Sequence, residues 1–113
     1  MKQVVKISLP ELKKMSERMF GSLVKANVDV SKKLVVLDGD LHADIEAYML
    51  ESGSRQEDLW GINLYPEKFG TDEFIEFDSM INIRPRQGNN SRYVEDEKTR
   101  QQIIDIIKGA THE

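Results

Sequence analysis

The chain has 113 residues, of which 39% are hydrophobic and 32% are charged, and this balance predicts one soluble globular domain over residues 1–113. It contains no cysteine, which excludes disulfides, thiolate metal sites and a cysteine nucleophile. The first residues lack the apolar core of a signal peptide and no apolar run is long enough to span a membrane, so we expect a cytoplasmic protein with no membrane partner.

The net charge of −4 is distributed unevenly along the chain. Residues 1–33 carry eight basic and three acidic side chains, whereas residues 34–80 carry two basic and twelve acidic ones. An acidic middle segment repels phosphates, which disfavours a nucleic-acid partner. We interpret the acidic block as solvated surface.

The N-terminal segment predicts a strand followed by a helix. Residues 3–7 form the strand, and Ser8 with Glu11 three residues later is typical of a capping box at a helix start. Gly21 is a natural residue just after a helix end. The side chains that we expect this helix to bury are Leu12, Met15, Met19 and Phe20.

A β-hairpin and a second helix are predicted next. Apolar residues alternate with polar ones over residues 24–30, and a turn at residues 31–33 leads to a return strand over residues 34–37. Asp40 is predicted as the N-cap of the second helix, and Gly53 as its end. Its predicted buried stripe consists of Leu41, Ile45, Tyr48 and Met49.

Residues 59–65 and 75–84 each alternate between apolar and polar side chains, which predicts two antiparallel strands with one dry and one polar face. We place Trp60 on the dry face, where core packing is favoured over a ring-stacking platform. A solvated sheet face explains the polar side equally well. Asn and Asp are depleted in strands, however, so we interpret their presence as a sign of function. The polar face carries Asn63, Tyr65, Asp78, Asn82 and Arg84.

Asp96 is the predicted N-cap of a last helix, which buries several isoleucines and ends at Gly109. These elements together predict an α+β fold, as a two-layer sandwich. Its antiparallel sheet has four to five strands, and about three helices cover mainly one face.

The nine residues from Arg84 to Arg92 combine three guanidinium groups, several amides and Gly88. Arginine binds carboxylate and phosphate in a bidentate manner, and Gly88 permits close backbone approach. The alternative is a surface loop whose arginines pair with the acidic middle of the chain. We predict that the loop and the polar sheet face form one ligand site, with contacts from Asn63, Asp78, Asn82, Arg84, Arg86, Gln87, Asn89 and Arg92.

A weaker constellation consists of Asp38, Asp40 and His42, which could bind a divalent metal or supply a general base. A structural interpretation is favoured, because Asp40 is the predicted helix cap and His42 would then be a surface residue of the first turn. We therefore assign no metal, and the sequence names no cofactor.

The segments DLWGINLYP and FDSMINIRP, the latter followed by QGN and SR, resemble a family of small uncharacterised prokaryotic proteins. The similarity covers roughly residues 19–107 and includes Leu41-His42-Ala43-Asp44. It departs from the family pattern at Glu97, where a proline is expected. The resemblance implies a free-standing single-domain protein and carries over no activity or catalytic residue.

Three hypotheses about function remain, and whether the protein is an enzyme stays open. We favour a domain that binds a small ligand or anion, such as a phosphate or carboxylate. A metal-assisted or acid/base hydrolytic enzyme would use His42 with Asp38, Asp40 or Asp78. A protein-interaction or regulatory module would dock a partner on its open sheet face or edge strand, including a second copy of itself as a homodimer.

Overall fold

The structure is a computed structural model that describes residues 1–19 and 21–113. The strands are β1 (Lys2–Val4), β2 (Ile7–Ser8), β3 (Val24–Asp29), β4 (Leu34–Leu37), β5 (Leu59–Leu64), β6 (Ile75–Glu76) and β7 (Thr111–His112). The α-helices are α1 (Leu9–Met19), α2 (His42–Glu51) and α3 (Glu97–Ala110). Five strands form an antiparallel sheet in the order β1-β4-β3-β5-β6, and β2 pairs with β7 in parallel.

The predicted hairpin is confirmed as β3 and β4, with Asn27 opposite Val36. Its turn is held by Asp29, whose Oδ1 accepts the backbone N–H groups of Ser31 at 3.0 Å and Lys32 at 2.9 Å. These bonds form an Asx turn, which offers the backbone donors partners where the ladder ends. The predicted strand over residues 3–7 is instead divided between β1 and β2.

Helices α1 and α3 cover one face of the sheet and bury the main core against it. Leu12 and Met15 from α1 and Ile103 and Ile107 from α3 are buried there with Trp60 and the other apolar side chains of β3, β4 and β5. Alternation places those strand residues on a single face. The α+β class, with two of the three helices on one face, is therefore confirmed.

Helix α2 packs on the opposite face, where a second small core consists of Val36, Ile45, Met49 and Leu59. Its predicted buried stripe is half correct, because Leu41 is 55% exposed and Tyr48 is 41% exposed. Asp40 does not cap this helix: Leu41 occupies the N-cap position, with no side-chain cap bond. The helix starts one residue later than predicted and turns a different stripe, with His42, to the sheet.

The other helix starts follow the sequence. Ser8 Oγ accepts the N–H of Glu11 at 3.3 Å, and Asp96 Oδ2 accepts the N–H of Thr99 at 2.9 Å, so both residues are N-caps. Gly21 has a φ of +79°, the left-handed conformation in which glycine ends a helix. Phe20, predicted to be buried, lies outside the described residues. Within the described part of the chain, we find no helix with the length and apolar character that crossing a membrane requires.

The predicted strand over residues 75–84 is wrong over most of its length. Only Ile75 and Glu76 pair with β5, opposite Leu64 and Asn63. The chain then leaves the ladder and forms single 3-10 turns at Met80–Asn82 and Pro85–Gln87. The alternation of apolar and polar residues in the sequence continues through this region. The hydrogen bonds that a strand would make to β5 here are made by side chains instead.

Candidate functional site

The outer edge of β5 is completed by side-chain amides rather than by a strand. Asn82 Oδ1 accepts the N–H of Gly61 at 2.9 Å, and Asn82 Nδ2 donates to the carbonyl of Gly61 at 3.0 Å. One side chain therefore satisfies both backbone groups that a strand partner would take. Asn82 is fully buried and also donates to Arg92 O, so its amide groups are committed to the fold.

Arg84 binds further backbone carbonyls at the same edge, before Gly61 in the chain. Its guanidinium donates to the carbonyls of Gln56 and Leu59, and its Cζ lies 4.2 Å from the centroid of the Trp60 ring. A guanidinium over an indole face is a favourable cation–π arrangement. The guanidinium predicted as an anion contact is thus packed against the end of the sheet.

Asn89 holds the Arg/Asn loop together from inside. Its Nδ2 donates to the carbonyls of Asn82 and Tyr93, each at 2.7 Å, and its Oδ1 accepts the N–H of Glu95 at 2.8 Å. The side chain is buried. Gly88 takes the predicted positive φ, at +84°, which lets the loop turn back so that Asn89 bridges to Arg84.

Asn63, Asp78 and Arg92 lie on the polar sheet face beside β6. Arg92 Nε donates to Asp78 Oδ1 at 2.6 Å, and Asn63 Nδ2 donates to Glu76 Oε1 at 2.8 Å. Tyr65 donates to the same Glu76 oxygen at 2.9 Å. Burial raises the pKa of Tyr65, and the bond to Glu76 acts in the same direction, so Tyr65 stays a neutral donor. These polar groups are largely paired with one another.

His42 is buried between α2 and the sheet, contrary to its predicted surface position. Its Nε2 lies 2.8 Å from Ile62 O, and its own carbonyl accepts a bond from Asn27 Nδ2 at 3.0 Å. Burial lowers the pKa of His42, and Lys25 and Arg92 also oppose its protonation. Because a carbonyl only accepts, neutral His42 carries its proton on Nε2 and anchors α2 to β5.

The weak metal candidates do not converge on one point. Asp38 pairs with Arg18 Nη2 at 3.4 Å, Asp40 is exposed, and His42 is turned to Ile62. Among the residues that the structure describes, no group of three or more His, Asp or Glu side chains could hold a metal ion.

The eight predicted ligand contacts have different roles in the fold. Asn82 and Asn89 are buried and bind backbone groups, and Arg84 lies over the Trp60 ring. The residues on the polar face are Asn63, Asp78 and Arg92. Arg86 and Gln87 are exposed, and Gln87 donates to Glu57 O. Arg86 and Gln87 border an open depression that also contains Arg55 and Glu57, which pair with each other. Whether any of the eight contacts a ligand remains a prediction.

A groove also lies between α3 and the segment of residues 69–77. Its volume is about 560 Å³, which is within the range of small-molecule sites. One wall carries two edge-to-face ring pairs, Phe69 with Phe74 at 5.1 Å and Phe77 with Tyr93 at 6.0 Å between centroids. We call this cavity the aromatic groove.

The other wall of the aromatic groove is one face of α3. It presents Arg100, Gln101, Ile104 and Lys108, which the helical repeat brings to one side. Asp72 is the acidic side chain on the opposite lip. An apolar floor with a few polar groups at its rim is the usual composition of a ligand site.

The sequence interpretation missed this groove, although a signal was present. Three of the four phenylalanines lie in residues 69–77, a segment interpreted only as a loop and the start of a strand. Aromatic side chains concentrated in a connecting segment require cover, and they are covered only in part: Phe74 is buried, but Phe69 and Phe77 remain partly exposed. Neither periodicity nor spacing relates this segment to α3, which begins twenty residues after the segment ends.

Comparison with known proteins gives a family but no activity. No curated protein and no solved structure matches the chain. A family model described as "Protein of unknown function (DUF5674)" matches residues 3–110, which is nearly the whole chain. The protein belongs to this family of uncharacterised proteins.

Proposed function

We propose that this protein is a small-molecule-binding domain and that its ligand occupies the aromatic groove. The observation that carries the proposal is the cavity of about 560 Å³ between two ring pairs and the exposed face of α3. Small-molecule sites are concave and mostly apolar, with a few polar groups that orient the ligand. The groove is concave and combines aromatic and aliphatic side chains with polar groups, and Gly70 at its lip leaves the space above its backbone open.

The groove is preferred to the Arg/Asn loop because it combines two aromatic ring pairs with Lys108, whereas the loop has no such rings and its side chains are largely bonded within the fold. In the loop, Arg84 and Asn89 hold backbone carbonyls, and Arg92 is paired with Asp78. Displacing these bonds for a ligand would cost free energy that the ligand must repay. In the groove, by contrast, no described acid lies within ion-pair distance of Lys108.

A thermal-denaturation screen of metabolites tests the proposal, because a ligand that binds the folded state must raise the melting temperature. Ile104→Gln makes the groove floor polar at a partly exposed position, and Arg86→Ala removes an exposed guanidinium of the Arg/Asn loop. We expect hits whose stabilisation is lost in Ile104→Gln and kept in Arg86→Ala. The opposite pattern would move the site to the loop, and a screen without hits would count against ligand binding.

A further inference from the structure

Resting on the proposed function of the aromatic groove, we infer that its ligand is a carboxylate with a flat apolar ring, and that Arg100 holds the carboxylate. Arg100 lines the groove from α3. The ring of the ligand would lie against Phe77 and the neighbouring aromatic side chains, and its carboxylate would meet the free edge of the guanidinium.

The guanidinium of Arg100 is fixed in place before any ligand arrives. Its Nη1 donates to Val94 O at 2.7 Å and to Glu95 O at 3.0 Å, and its Cζ lies 4.9 Å from the centroid of the Tyr93 ring. Holding a long side chain in one conformation is a main cost of forming an ion pair. Here the fold has already met that cost.

The anchoring bonds use only one of the three nitrogens of Arg100. Among the described residues no acceptor reaches its Nε or Nη2. That edge of a guanidinium presents two parallel N–H donors, the geometry that matches both oxygens of a carboxylate. A lysine amine could supply the charge but not this paired geometry.

The surrounding charges favour an anion, with one exception. Lys108 lies two helical turns beyond Arg100, about 12 Å along the axis of α3, and adds a second positive charge. Asp96 interacts electrostatically with Arg100, but its carboxylate is hydrogen-bonded to the N–H and the hydroxyl of Thr99. Asp72 on the opposite lip opposes an anion, and it therefore offers a test of its own.

Three probes that share one ring separate charge from ring binding: indole-3-propionate, 3-methylindole and tryptamine. We expect indole-3-propionate to bind the wild-type protein roughly ten- to hundredfold more tightly than 3-methylindole, as hydrogen bonds to a charged group imply. Tryptamine should bind most weakly. Titration calorimetry of each probe gives the affinities.

Variants assign the preference to Arg100. In Arg100→Gln the carboxylate and neutral probes should bind equally, and in Arg100→Lys the preference should shrink. Lys108→Gln is the matched control on the same helix and should keep most of the preference, whereas Asp72→Asn should increase it. Binding of 3-methylindole should stay the same in all four variants, which also shows that each retains the groove.

Two failures are distinguishable. If the three probes bind the wild-type protein equally, or if Arg100→Gln keeps the preference for the carboxylate, the inference about the ligand's charge is wrong and the aromatic groove still stands as a ring-binding site. If none of the probes binds, the inference and the ring-binding role of the groove fail together.

Discussion

Asn82 and Gly61 form a two-bond pair in which a side-chain amide replaces a neighbouring strand, with bonds of 2.9 Å and 3.0 Å. Both residues are buried, so neither backbone group of Gly61 has water as an alternative partner. The pair closes the edge of β5 at the point where β6 has already ended.

Removing this amide should destabilise the fold more than any exposed change in the same loop. Asn82→Ala leaves the N–H and carbonyl of Gly61 without partners, and we expect it to lower the free energy of unfolding by about 2–4 kcal/mol. Urea denaturation measures the loss. Asn90→Ala, an exposed asparagine of the same loop, is the matched control and should change stability by less than about 0.5 kcal/mol. Equal effects of the two changes would contradict a bracing role for Asn82.

Glycine is required at position 61 because there is no space for a Cβ atom, and not because the backbone has an unusual angle. A Cβ at this position would lie 2.6 Å from both Cβ and Oγ of Ser79 and 3.1 Å from Cδ2 of His42. Gly61→Ala should therefore destabilise by about 1–3 kcal/mol, the usual cost of overpacking.

Gly109 provides the contrasting control, because a Cβ there would meet nothing within 4 Å. It lies in α3, so Gly109→Ala should raise stability by about 0.5–1 kcal/mol. Thermal melts of both glycine variants give the comparison. Combining Gly61→Ala with Ser79→Gly should recover part of the loss, and no recovery would show that Ser79 is not the obstacle.

Buried His42 should make stability depend on pH below neutrality. Burial lowers its pKa in the folded protein below the ordinary 6.5, so the unfolded chain binds a proton first as the pH falls. The free energy of unfolding should then decrease as the pH drops below about 6.5 and level off below the folded-state pKa. The bond to Ile62 O and the charge of Asp78 favour protonation of the ring, whereas Lys25 and Arg92 oppose it, and burial outweighs both.

Denaturation between pH 5 and 8, roughly the range in which histidine titrates, tests this dependence. His42→Gln keeps a donor for Ile62 O but cannot titrate, so its stability should be flatter with pH than that of the wild type. His112→Gln, at an exposed position, should retain the wild-type slope. A wild-type slope in His42→Gln would mean that another group is responsible.

The arginines of the Arg/Asn loop should divide into structural and dispensable ones. Arg84→Ala removes two bonds to carbonyls and the contact with Trp60, and we expect a loss of about 1–3 kcal/mol. Arg86→Ala should change stability by less than about 0.5 kcal/mol. Trp60 fluorescence reports on the first change directly, since the guanidinium lies over the indole ring. An Arg84→Ala variant with unchanged stability would contradict a structural role for Arg84.

Much of the fold was predictable because local patterns and tertiary structure agree. The hairpin of β3 and β4, the caps Ser8 and Asp96 and the core face of β5 all follow from residue type and spacing. The start of α2 was not predicted correctly. Asp40 is a residue type that commonly caps helices, but the helix begins at His42, which is buried.

The candidate site was less predictable, for a physical reason that Asn82 illustrates. An asparagine in a strand-like pattern indicates that its amide is needed, but the sequence does not say whether a ligand or a backbone needs it. Asn82 and Asn89 serve the backbone. The aromatic groove depends on Phe77 meeting Tyr93 and on α3 packing beside them, and such long-range contacts leave no periodic signal.

The most direct test of the binding proposal is an NMR titration of the ¹⁵N-labelled protein with indole-3-propionate. We expect the shifted amide resonances to be those of Gly70, Thr71, Arg100 and Ile104, around the aromatic groove. Shifts confined to Arg86 and Gly88, or the absence of any saturable shift, would contradict a ligand site in the groove.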